Sequence, residues 1–105
     1  MYASASFRFL TLNEKQSKEL ITLIPTVEMG DHYESDYMVG CIKLIDNGNN
    51  EAIEKFRNLH SLKPTDCDIF VSITSEKRDE IWRAPKVVNN LINIVNCPLV
   101  FSYSC

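Results

Sequence analysis

The chain has 105 residues, 45% of them apolar and 24% charged, with a net charge of −3. That balance suits one folded domain, residues 1–105, with a modest core; with 3 Gly and 4 Pro, little material is left for linkers or low-complexity tails. No run approaches the ~18 consecutive apolar residues that a membrane-spanning helix needs, so no membrane partner is expected.

The charge is unevenly spread. Glu28, Asp31, Glu34 and Asp36 fall in a stretch without Lys or Arg, and they account for four of the 14 acidic residues. The other 10 acids are balanced by 11 basic residues, so the acidity is local. A local acidic patch disfavours nucleic acid, whose phosphates repel it, and favours a basic partner. The first ten residues alternate like a strand and lack the charged start, apolar run and cleavage site of a secretory leader, which predicts a cytoplasmic protein. Cys41, Cys67, Cys97 and Cys105 are widely spaced and form no C-x-x-C pair of the zinc or redox kind. Cys41 and Cys67 sit within apolar strand patterns, where a reduced, buried thiol acts as a small hydrophobe.

Taken in chain order, residues 3–9 alternate Ala3, Ala5, Phe7 and Phe9 with Ser4, Ser6 and Arg8, the period of a half-buried strand. Thr11 and Glu14 have capping-box spacing, which predicts a helix from there to Ile24, with Leu20, Leu23 and Ile24 inward and Pro25 as its stop. Residues 26–36 show no clear period. A second strand is expected over Tyr37–Ile45, followed by a turn at Asp46-Asn47-Gly48-Asn49. A second helix, capped by Asn49 or Asn50, presents Ala52, Ile53, Phe56, Leu59 and Leu62 inward and ends at Pro64. The third strand sets Cys67, Ile69, Val71 and Ile73 against Asp68, Phe70, Ser72 and Thr74. Beyond a polar stretch, Pro85 opens a third helix with the stripe Val87, Val88, Leu91, Ile92 and Val95. Pro98 breaks it before a closing strand, Leu99–Tyr103.

The order is β-α-β-α-β-α-β. Strands with one apolar and one polar face fit helices gathered mainly on one side of a sheet. The expectation is therefore an α+β two-layer sandwich, with four strands, or five if residues 26–34 also pair. A doubly wound α/β fold is the alternative.

Recognisable chemistry is scarce. Gly30, Gly40 and Gly48 are isolated, so no phosphate-cradling loop or dinucleotide fingerprint exists, and no G-x-S-x-G elbow occurs. A cysteine nucleophile needs a histidine beside it, and His60 reads as an edge-of-core residue of the second helix. No cofactor and no catalytic residue is expected. The most distinctive segment is Glu28-Met29-Gly30-Asp31-His32-Tyr33-Glu34-Ser35-Asp36-Tyr37. Its Asp31, His32, Glu34 and Asp36 have metal-ligand chemistry but match no established spacing, so no metal site is assigned. Such a run is often just a solvated loop. Its functional reading is a contact surface in which Glu28, Asp31, His32, Glu34 and Asp36 steer a basic partner while Tyr33 and Tyr37 supply contact area. Trp82, in the polar stretch, either packs on the core edge or anchors the same partner. Base stacking by Phe70 on an open sheet is disfavoured, because its strand carries Asp68 where RNA-recognition domains carry a basic residue.

The run Leu23-Ile24-Pro25-Thr26 closing the first helix, and the ending Phe101-Ser102-Tyr103-Ser104-Cys105, make the chain similar to a family of small bacterial α+β domains of unknown function. The Trp common in such domains has no counterpart between residues 38 and 45. In size, mild acidity and lack of an active site it also resembles bacterial immunity proteins of contact-dependent growth inhibition systems. That resemblance implies a protein that binds and blocks a cognate toxin, here a basic, nuclease-like one, without catalysis. The alternative is a small-ligand-binding or regulatory domain, which a deep pocket between sheet and helices would support.

Overall fold

The computed structural model describes residues 2–31, 36–45, 47–74 and 83–104. Five strands form one sheet in the order β2-β3-β1-β4-β5, and three helices pack on one of its faces. This is the expected α+β two-layer sandwich in its five-stranded form.

β1, Tyr2–Leu12, is the central strand. It pairs antiparallel with β3, Met38–Lys43, on one side and with β4, Cys67–Thr74, on the other. Its odd-numbered side chains Ala5, Phe7 and Phe9 are buried, as are Ile42 opposite Phe7 and Cys67, Ile69 and Val71 along β4. These positions share the helix-covered face. Phe7 meets Phe9 edge-on at 4.9 Å, and Phe9 meets Phe56 at 5.0 Å, so aromatic contacts run from the sheet into the helix layer.

β1 runs three residues past its predicted end. Leu12 is fully buried and pairs with Met38 after a register shift beyond Phe9, which keeps Thr11 in the strand. The cap of α1, Glu14–Leu23, therefore moves from Thr11 and Glu14 to Asn13 and Gln16. Gln16 N–H donates to Asn13 Oδ1 at 2.8 Å, and Asn13 N–H donates to Gln16 Oε1 at 3.0 Å. Leu20 and Ile24 are buried as expected, but Leu23 is 39% exposed, because the buried face runs through Ser17, Leu20 and Ile24. The helix sits close on the sheet at Gly40. A Cβ there would lie 2.7 Å from Leu20 Cδ2 and 3.1 Å from Leu12 Cδ1, so a larger residue would force these side chains to shift.

The aperiodic stretch contains a short edge strand, β2, Glu28–Asp31, antiparallel to β3. A 3₁₀ turn at Asn47–Asn49 leads into α2, Asn50–Leu59, which buries Ile53 and Phe56. Leu59 is 70% exposed and does not belong to the inner face. The helix ends there, and Ser61 takes a positive φ of 52°, turning the chain so that Leu62 packs on the core instead. α3, Lys86–Val95, buries Val87, Val88, Leu91 and Val95 and ends at Asn96 in the left-handed conformation that Asn tolerates. It forms the crossover to β5, Leu99–Ser104, which runs parallel to β4, as that connection requires. Cys67 is buried, whereas Cys41 is half-buried on the opposite, open face, which departs from the expectation of two core thiols.

Candidate acidic edge and open sheet face

The face of the sheet away from the helices carries Ser4, Ser6, Arg8 and Leu10 from β1, Val39 and Cys41 from β3, and Asp68 and Phe70 from β4. The strand registers place Arg8 beside both Cys41 and Asp68. Arg8 Nε and Nη2 donate to Asp68 Oδ1 and Oδ2 at 2.7 and 2.5 Å, a two-pronged pairing of guanidinium with carboxylate. The Arg8 guanidinium also lies 4.5 Å over the Phe70 ring. The Asp68 side chain is 6% exposed and that of Arg8 28%. The hydrogen bonds to Asp68 raise the Arg8 pKa further, against the opposing cost of burial. Phe70 thus serves as a platform for Arg8, and the charge of Arg8 is matched within the fold.

Beside this pair lies an open concavity of about 540 Å³, lined by Arg8, Leu10, Glu28, Met29, Gly30, Asp31, Val39 and Cys41. β2 forms its outer wall. Glu28 pairs with Cys41, and Gly30 with Val39, which brings acid and apolar surface together. A Cβ at Gly30 would have no atom within 4 Å, so the glycine leaves the concavity unfilled. Glu28, Asp31 and Asp36 are exposed, and Tyr37 is half exposed at the start of β3. The concavity therefore combines an apolar floor, carboxylates along one rim and one lining cation that Asp68 already matches, with Lys43 sharing an adjoining hollow with Glu28.

Of the residues singled out in the sequence, Glu28, Asp31, Asp36 and Tyr37 fall along the β2–β3 side of the sheet. His32, Tyr33, Glu34 and Trp82 lie outside the described residues. The floor residues Leu10, Val39 and Cys41, and the Arg8–Asp68 pair, were not singled out as site residues. The available signal was two opposite charges, each alone on the polar face of its strand, which is the pattern of a cross-strand pair.

The His60 ring lies 4.6 Å from that of Phe56, tilted by 51°, and its Nε2 lies 2.6 Å from Glu19 Oε2, joining the end of α2 to α1. Burial pushes the Cys67 thiol up to about 12 and also raises Cys97, so neither is disposed to act as a thiolate nucleophile at neutral pH. Among the described residues, no three His, Cys, Asp or Glu side chains gather as a metal-binding group. No helix among them is long and apolar enough to cross a membrane. The space between sheet and helices is filled by fully buried side chains, including Phe7, Phe9, Phe56, Leu20 and Leu91. The concavities described here lie on the outer surfaces. Compared with protein-family models, curated proteins and solved structures, the chain matches none.

Proposed function

We propose that this chain is a protein-binding module of the immunity type, which occludes a basic toxin domain of the nuclease class and catalyses no reaction itself. The observation that supports this reading is the pairing of Glu28 and Asp31 with an apolar concavity whose single lining cation, Arg8, is matched by Asp68, with Asp36 exposed just before β3. Carboxylates on a rim steer a basic partner and set its orientation, while the apolar floor beneath contributes once water is expelled. A nuclease domain suits such a surface because its own substrate is a polyanion, and an acidic protein competes for the same cationic groove.

The test is affinity capture from a lysate of the source cells, with wild type and the Glu28→Lys/Asp31→Lys/Asp36→Lys variant compared at two salt concentrations. Wild type is expected to retain a stoichiometric basic protein that salt weakens and the variant loses. Equal capture by both proteins would refute this choice of surface.

A further inference from the structure

The helix layer has a gap. α2 packs against α3, whereas α1 rests chiefly on β1 and β3 and meets α2 through the Glu19–His60 contact. Between α1 and α2 lies a groove of about 520 Å³ lined by Lys18, Glu19, Thr22 and Leu23 from one helix and Lys55, Phe56 and Leu59 from the other. Phe56 is its buried floor, and the exposed Leu23 and Leu59 stand at its sides. Apolar side chains on facing helices with nothing between them leave surface that a further helix would bury.

The rim charges indicate what kind of helix. Lys18 on α1 and Lys55 on α2 place one ammonium on each side of the groove. Glu19, the one lining carboxylate, is in contact with His60. Lys18 does meet Glu14 at 3.3 Å, but both side chains are largely exposed, and an exposed pair of this kind holds its partners weakly. Lys18 can therefore turn to a carboxylate on a docked partner.

The geometry points to a docking groove for an amphipathic helix of another protein, whose apolar stripe enters between Leu23 and Leu59 with acidic residues flanking it on both sides. Anchors spaced i, i+3, i+4 and i+7 would lie along such a groove. This surface is separate from the acidic edge, has the opposite rim charge and does not depend on the proposed toxin.

The experiment is a titration of the ¹⁵N-labelled full chain with two synthetic helical peptides. They share a leucine stripe and differ in whether Glu or Lys flanks it. The Glu-flanked peptide is expected to bind about tenfold more tightly at low salt, with amide shifts confined to residues 18–23 and 55–60. Leu59→Ser should weaken it about tenfold, a change at an exposed site that leaves the fold intact. Lys18→Glu/Lys55→Glu should reverse the preference between the two peptides. Equal binding of both peptides, binding of neither, or shifts outside the groove would overturn the inference. Displacement of the peptide by dodecanoate at lower concentration would also overturn it, assigning the groove to a single-chain amphiphile instead.

Discussion

The two concavities of this molecule are nearly equal in size, about 540 and 520 Å³, yet their chemistry is opposed. The one on the open sheet face has Glu28 and Asp31 on its wall and one cation matched by Asp68. The one in the helix layer has Lys18 and Lys55 on its rim, with Glu19 in contact with His60. Their backing differs too. The sheet concavity lies over strands whose other face holds the core, so its wall residues can be changed without reaching that core. The helical groove has a core residue, Phe56, as its floor. Similar volumes therefore carry opposed charge and different tolerance to mutation.

The largest expected effect follows from that backing. Phe56→Ala should destabilise the fold by about 3–5 kcal/mol in urea unfolding, because the ring is buried against Phe9. Leu59→Ser, in the same groove, should stay within about 0.5 kcal/mol. Equal costs would break the distinction between floor and wall. On the opposite face, the Glu28→Lys/Asp31→Lys/Asp36→Lys variant should lose about a hundredfold in affinity for the captured partner, roughly 2.8 kcal/mol, with unchanged stability. Asp68→Ala should cost about 2 kcal/mol of stability, less than a fully buried pair because Arg8 is partly solvated. Arg8→Met/Asp68→Leu should recover most of that loss.

The thiols offer a finer comparison. Cys67 keeps its proton in the fold up to about pH 12, against an ordinary value of 9. Below pH 9 the thiol is protonated in both folded and unfolded chains. Above it only the unfolded chain releases the proton, so stability should fall from pH 9 towards 12 by at most about 1.4 kcal/mol per pH unit. Cys67→Val should flatten that slope in urea titrations at pH 8 and 10. Cys41, half-buried in the floor of the sheet concavity, should react with a maleimide in the folded protein well before Cys67 does. Gly30→Leu, which fills open space beside it, should slow that reaction without a loss of stability.

Much of the sandwich was legible because strand period and helix stripe are local. The alternation in β1 and β4 set the buried face, and Pro85 and Pro98 framed α3. The errors came where tertiary contacts decided. Leu12 drew β1 past Thr11 and moved the helix cap to Asn13, and the close approach of α1 to Gly40 set which side of that helix is buried. Leu23 and Leu59 looked like core because their spacing fits a stripe, but they line the open groove between α1 and α2 and remain exposed. For the site, the run of acids was visible in one dimension. The floor of Leu10, Val39 and Cys41 was not, because it is assembled from strands distant in sequence and depends on β2 pairing with β3.

The proposed basic partner is expected at the acidic edge and not at the helical groove. Hydrogen exchange on the complex with the captured protein tests this most directly. New protection is expected at the amides of Glu28–Asp31 and Met38–Cys41, with Lys18–Leu23 and Lys55–Leu59 unchanged. Protection of the two helical segments, with the β2–β3 pair exchanging as in the free protein, would contradict it.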